Sequence, residues 1–201
     1  MRILLASSNP GKLGEYQELA TGTGLEISLM AQFSELPRFE ESAPTFAENA
    51  AGKALHYSRF TKEPVLADDS GLVVPGLGGA PGVQSARYAG PSATDSDRVE
   101  KLLHEMEGEE GEQRRAHFVC VIAVAHEGRA LVIASDRADG VIAKAPSGLN
   151  GFGYDPIFYV PEKGCTYAEL PSQEKNRVSH RGRAFRKIAE LLRPVKVPAP
   201  S

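Results

Sequence analysis

At 201 residues, with 41% hydrophobic and 24% charged residues, the chain has the composition of one sizeable globular domain, not of a disordered or fibrous segment. A net charge of −3 argues against a broad electrostatic grip on nucleic acid, while a local cluster of cations for one phosphorylated small molecule remains compatible with it. Its two cysteines, Cys120 and Cys165, are too few for a disulfide scaffold and lack metal-ligand spacing; no apolar stretch reaches membrane-spanning length and the N-terminus shows no secretory pattern, so a cytoplasmic protein without membrane contact is expected.

Residues 2–6 are an apolar run that predicts a buried first strand. It leads into Ser7-Ser8-Asn9-Pro10-Gly11-Lys12, where Asn9 is suited to cap a helix and Pro10 to open it. Leu13, Tyr16, Leu19 and Ala20 then share one helical face. Free N–H groups and partial positive charge at such a helix start suit a phosphate, although the Walker spacing is absent. Gly22 and Gly24 end the helix, and Leu25, Ile27 and Leu29 alternate with Glu26 and Ser28 as a half-buried second strand. The next loop carries Glu35, Glu40 and Glu41; it reads either as solvated surface or as the source of a metal-binding carboxylate. Thr45-Phe46-Ala47-Glu48 matches a capping box, opening a helix with Phe46, Ala50, Ala54 and Tyr57 on its apolar face. Lys53 lies near that face, where a lysine either snorkels outward or faces a polar cleft.

Pro64-Val65-Leu66-Ala67 predicts a short buried strand that should end at Asp68-Asp69-Ser70-Gly71. Carboxylate oxygens are what a hard Mg²⁺ ion takes, and a hydroxyl or backbone N–H holds a phosphate oxygen. Successive side chains of an extended segment point to opposite faces, so one aspartate is expected to be chemical and the other structural; the bland alternative is a polar turn. A glycine- and proline-rich loop over 76–83 follows, then Ser85-Ala86-Arg87-Tyr88, with Arg87 a candidate for an ion pair or a ligand contact. Thr94-Asp95-Ser96-Asp97 caps a helix with Val99, Leu102, Leu103 and Met106 inward, and the charged segment 105–115 reads as exposed. Strands are expected over 117–125 and 130–134, joined by a hairpin at His126-Glu127-Gly128-Arg129, with another over 140–143. The glycine-rich segment 148–156 carries Phe152 and Tyr154, rings that either stack on a nucleobase or tuck under their own loop. After a strand over 157–160 come Lys175 and Ser179-His180-Arg181, with Ser179 suited to cap a last helix that turns Ala184, Phe185, Ile188, Leu191 and Leu192 inward. Cations at His180 and Arg181 would oppose the helix dipole unless something anionic or polar sits beside them. One domain over 1–193 and a flexible proline-rich tail over 194–201 are expected.

Ser8-Asn9-Pro10-Gly11-Lys12, Phe46-x-Glu48-Asn49-Ala50, Ala67-Asp68-Asp69-Ser70-Gly71-Leu72, Gly78-Gly79-Ala80-Pro81-Gly82-Val83 with Ser85-Ala86-Arg87-Tyr88, Gly151-Phe152-Gly153-Tyr154-Asp155-Pro156, and Lys175 with Ser179-His180-Arg181 occur in this order. Together they closely resemble the inosine triphosphate pyrophosphatase family, hydrolases of non-canonical purine nucleoside triphosphates. The chain departs from the pattern at Leu149-Asn150, where bacterial relatives commonly carry small residues.

The resemblance implies an α/β fold with a mixed central sheet flanked by helices, two lobes with the active-site cleft between them, and a homodimer. It also implies Mg²⁺-dependent hydrolysis of ITP, dITP and XTP between the α- and β-phosphates, giving a monophosphate and pyrophosphate. Carried over motif by motif, Ser7, Ser8, Asn9, Pro10, Gly11, Lys12 and Ser70 hold the triphosphate, and Lys53 adds positive charge. Asp69 matches the general base and, with Glu41, a metal carboxylate. Phe152, Gly153, Tyr154, Asp155, Lys175, His180 and Arg181 match the base pocket. Arg181 can only donate hydrogen bonds, so it favours a 6-keto oxygen over the amino group of adenine. The rival readings are a pyrophosphatase preferring modified pyrimidine nucleotides and a nucleotide-binding regulator without catalysis.

Overall fold

The apolar runs become strands β1 (Arg2–Leu5), β2 (Glu26–Leu29), β3 (Val65–Val73), β4 (Arg115–His126), β5 (Arg129–Ile142), β6 (Phe158–Val160) and β7 (Cys165–Thr166) in the computed structural model, which describes residues 1–192. They form one mixed sheet in the order β2-β1-β3-β4-β5-β6-β7. β1 is parallel to both its neighbours, and every pairing from β3 onward is antiparallel. The helices are α1 (Pro10–Ala20), α2 (Phe46–Tyr57), α3 (Asp95–Glu105), α4 (Ser172–Val178) and α5 (His180–Leu191). The mixed α/β class expected from the sequence holds. The tail over 194–201 lies outside the described residues.

Alternation along the strands sorts the core into layers. Tyr16 from α1 and Phe185 and Ile188 from α5 pack with Leu66, Cys120 and Ile122 on one sheet face. Ala50, Ala54 and Tyr57 from α2 pack with Val65, Ala67, Val121 and Ala123 on the other. A third cluster joins Val99 and Leu102 of α3, and Met106 that caps its end, to Phe118, Ile142 and Phe158. Predicted caps form as read: Asn9 Oδ1 accepts from the N–H groups of Gly11 and Lys12, Thr94 with Asp97 makes a full capping box, and Ser179 Oγ accepts from Gly182.

Several expectations need correction. β3 does not stop before Asp68; it runs to Val73, because β4 matches it residue for residue from Val65↔Ala125 to Val73↔His117. A nine-residue ladder overrides the turn preference of Asp-Asp-Ser-Gly. The strands expected over 130–134 and 140–143 are one, β5, for the same reason: β4 holds the polar stretch between them in register. Their hairpin turns at Glu127 and Gly128, both with positive φ (47° and 76°), the I′ geometry that matches strand twist. Leu29, on the edge strand β2, and Leu191, at the end of α5, point to solvent. α4 went unread, since its buried side chains are Lys175 and Asn176 and it has no apolar stripe.

Arg114 contradicts the expected exposure of segment 105–115. It is buried, and its guanidinium donates to the carbonyls of Ile142 (2.7 Å), Ala143 (2.8 Å), Met106 (2.9 Å) and Glu109 (3.3 Å), fastening the end of α3 to the end of β5. Arg114→Met should therefore leave several buried carbonyls unpaired and cost about 3 kcal/mol, read as a lower urea midpoint at unchanged slope. A midpoint within error of the parent would show that water replaces the guanidinium without loss.

Candidate active site

The free edge of β3 locates the site. β1 pairs with β3 only at Leu4↔Val65 and Leu5↔Leu66, then leaves into the Ser7-Ser8-Asn9 loop. Between Leu66 and Leu72, where Ser85 and then Pro81 take up the edge again, no strand covers β3 on that side, and side chains from both of its faces reach one cavity. Asp69 and Ser70 point to opposite faces, and both line it.

Asp68 faces α1 and α5. Its carboxylate accepts from Lys12 Nζ at 2.9 Å and lies 3.5 Å from Arg181 Nε. Burial alone would raise its pKa, but Lys12, then Arg181 and Lys53, outweigh that and hold it well below the usual carboxylate range. Arg181 is buried in the first turn of α5, where its guanidinium also donates to Glu15 Oε2 at 2.5 Å and to Ser70 Oγ at 2.9 Å. Glu15 accepts from Lys175 Nζ too, at 2.6 Å; despite burial, Arg181 and Lys175 keep its pKa low. The cation that seemed to oppose the helix dipole is thus held by two carboxylates. His180 is not a cation at all: burial, with Arg181 and Lys175 nearby, drives its pKa well below the ordinary value. The neutral ring stacks on Phe118 at 4.6 Å between centroids.

Asp69 faces α2. Asn49 Nδ2 donates to its Oδ2 at 2.9 Å, and its pKa is pushed up to about 6 by burial, with the charge of Glu41 adding to the rise against the Asn49 bond. The influence of Glu41 places the two carboxylates in one electrostatic neighbourhood, and both line the cavity. Glu41 is paired with Lys53 at 2.5 Å, and its backbone carbonyl accepts from Arg87 at 2.7 Å. No group of three or more His, Cys, Asp or Glu that could hold a metal occurs among the described residues. Two hard carboxylates still fit Mg²⁺, which keeps several waters and takes its other ligands from phosphates.

Asp155 and Lys175, which also line the cavity, are both buried and 2.5 Å apart. Burial raises the Asp155 pKa in spite of the lysine. The Phe152 ring lies 5.0 Å from Lys175 Nζ and 5.4 Å from the Arg181 guanidinium carbon, with one flank against Gly11, where a Cβ would come within 2.8 Å of the ring. Of the two loop aromatics, Phe152 stays half-buried at the cavity while Tyr154 tucks under, its hydroxyl donating to the Ser85 carbonyl at 2.9 Å. Two buried atoms there, His180 Nδ1 and Arg181 Nε, have no hydrogen-bond partner.

Most of the residues read from the sequence converge. Asn9, Lys12, Glu41, Asp69, Ser70, the segment from Phe152 to Asp155, Lys175, His180 and Arg181 line the cavity. Ser7, Ser8 and Lys53 line a wider groove that meets it at Glu41. Pro10 and Gly11 line neither; Pro10 opens α1 and Gly11 makes room for Phe152. Leu149 is fully exposed and outside the cavity lining, so the departure there leaves the cavity unfilled. Sequence reading missed Glu15, although its spacing from Lys12 puts it on the same helical face, and it read Asp95 as no more than part of a helix cap.

A sequence model of the Ham1 family matches residues 3–191. The dITP/XTP pyrophosphatase of Geobacillus kaustophilus is 50% identical over 188 residues, covering 94% of this chain and 92% of that protein. The enzyme of the same name from Legionella pneumophila is 46% identical, covering 94% and 97%. The structure of a HAM1 protein from Coxiella burnetii superposes with a TM-score of 0.84 at 47% identity, over 96% of this chain and 98% of that one. The Staphylococcus aureus Ham1 structure gives a TM-score of 0.83 at 36% identity, with the same coverage of both chains.

Proposed function

The chain belongs to the Ham1 family and is a nucleoside triphosphate pyrophosphohydrolase acting on non-canonical purine nucleotides; from that premise we propose that it cuts ITP, dITP and XTP between the α- and β-phosphates, with Mg²⁺. The observation that carries this reading is one cavity lined both by two carboxylates, Glu41 and Asp69, and by an aromatic ring close to buried cations. In this reading the 1–193 domain is two-lobed, the cavity is its cleft, and the working form is a cytoplasmic homodimer. No helix of the described residues is long and apolar enough to cross a membrane.

Each residue's part follows from its surroundings. The α1 N-terminus, whose first N–H groups are already taken by Asn9, contributes its partial positive charge, with the Ser7 and Ser8 hydroxyls before it and the Lys12 ammonium in its first turn, to the phosphates. Lys53 and the Ser70 hydroxyl add to that set. Glu41 and Asp69 would hold the metal, which when bound neutralises charge on the phosphate oxygens. Asp69, with its raised proton affinity, is suited to accept a proton from the attacking water near neutral pH. Phe152 offers a face for the purine, and Lys175, Arg181 and the uncommitted Nδ1 of His180 offer polar contacts to its edge. Arg181 donates two of its five N–H groups to Glu15 and Ser70, so it keeps donors for a keto oxygen.

The test is incubation with ITP and Mg²⁺ followed by product analysis. IMP and pyrophosphate are expected; release of single phosphate would mean that a different bond is cut, and no turnover with ITP, dITP or XTP would refute the substrate class.

A further inference from the structure

We propose that Asp95 is a positioning residue for the base end of the site, acting through the glycine-rich loop that carries Phe152. The inference rests on reading that cavity as the nucleotide site.

Asp95 opens α3, remote in sequence from the loop, yet its Oδ2 accepts the backbone N–H of Gly153 at 2.6 Å. Gly153 has a φ of +65°, a conformation that glycine takes without strain and that helps aim this N–H away from its own loop. The other carboxylate oxygen of Asp95 is gripped by the guanidinium of Arg98, one turn further along α3. Arg98 is itself fixed, donating to the carbonyls of Ala93 at 2.6 Å and Ala86 at 3.0 Å. The carboxylate therefore has little freedom to follow the loop if the loop moves.

The loop is also held at its base by Asn150 on Ala168 and Leu170 and by Asp155 on Lys175, and close to Gly153 by one bond on each side. Phe152 N–H donates to Asp155 Oδ2 at 2.9 Å, and Tyr154 hydroxyl reaches the carbonyl of Ser85. Both bind residues beside Gly153, and neither satisfies the Gly153 N–H itself. Phe152 sits next to it, its ring between Gly11 and the cations of Lys175 and Arg181. Taking Asp95 away removes the bond on the Gly153 backbone itself and leaves the ring held by the bonds of its neighbours and by its contacts with Gly11, Lys175 and Arg181. A mobile ring charges its ordering entropy to each binding event and so weakens binding without slowing a bound substrate. The Asp95 side chain is 45% exposed, so its loss creates no buried cavity in the core.

The experiment uses the full chain with Asp95→Ala and Asp95→Asn. For Asp95→Ala the KM for ITP should rise about tenfold with kcat held within about twofold. Asp95→Asn keeps an acceptor for the Gly153 N–H and should recover most of that rise. The chain has no tryptophan, so Phe152→Trp provides a single fluorescent reporter on the loop without any substrate. In that background Asp95→Ala should raise the acrylamide quenching constant about twofold. The proposal requires both changes: an unmoved KM, an unmoved quenching constant, an Asn variant as impaired as Ala, or a parallel fall in kcat would each overturn it. Absence of ITP turnover in the parent would refute the function instead, while the quenching arm would still decide the role of Asp95 in the loop.

Discussion

Asp69→Asn is expected to cut ITP turnover by about a thousandfold while the protein stays folded, the magnitude that a lost general base commonly costs. Asparagine keeps the shape and can turn its carbonyl oxygen to Asn49, so the contact to α2 survives. What it loses is the negative charge and the proton acceptor. The stability change should run opposite to the activity change. The folded-state pKa of Asp69, about 6, lies above its ordinary value of 3.8, so the folded protein holds this proton more tightly than the unfolded chain does. The contribution of Asp69 therefore becomes less favourable as pH rises through that interval, and above it the ionised group costs on the order of 2–3 kcal/mol. The Asn variant escapes that cost. In urea at neutral pH it should be at least as stable as the parent, with the gap closing as pH falls toward 4. A folded Asn variant with near-normal turnover would remove Asp69 from the chemistry.

Asp68→Asn, one residue earlier, should do the reverse and damage the fold. Asp68 is buried against Lys12 and Arg181, and neutralising it leaves Lys12 without a carboxylate partner while Arg181 retains only Glu15. Breaking a buried pair in this way costs about 3 kcal/mol. For a chain of this size that is a fall in Tm of roughly 6–12 °C. Here the folded pKa lies below the ordinary value, so the stabilisation is full above about pH 4 and is lost as pH falls further, toward the folded pKa. The deficit of the variant should accordingly shrink in acid. KM should also rise, because Lys12 and Arg181 owe their places to this carboxylate. Equal stability of variant and parent at neutral pH would show that the two cations relax into solvent without penalty. Adjacent aspartates thus carry opposite consequences, one favouring chemistry at some cost to the fold and the other favouring the fold that the chemistry needs.

Helix starts were legible because their signals are local: Asn9-Pro10, Thr45, Thr94 and Ser179 each satisfy backbone N–H groups within a few residues and each caps its helix, although at Thr45 only half of the expected capping box forms, Glu48 accepting from the Thr45 hydroxyl instead of its N–H. The ordered motifs likewise named most residues that line the cavity. Strand ends were not legible, because whether Asp68 to Gly71 or Ser135 to Asp139 stay extended depends on a partner strand distant in sequence. Nor was α4, whose inward residues are polar and are paired by Glu15, Glu18 and Asp155 from other segments.

By itself the sequence determined the order of the motifs and which residue types could meet a phosphate, a metal or a purine, since these rest on side-chain chemistry, and the class of fold came with the family those motifs resemble. Tertiary structure alone decided the charge state and orientation of those side chains. It set Asp68 and Asp69 on opposite faces of a strand whose edge β1 leaves uncovered, buried Arg181 between Glu15 and Asp68, and kept His180 neutral. The physical reason is that burial and ion pairing are collective: each depends on what several remote segments bring within a few ångströms, and no stretch of chain carries that information alone.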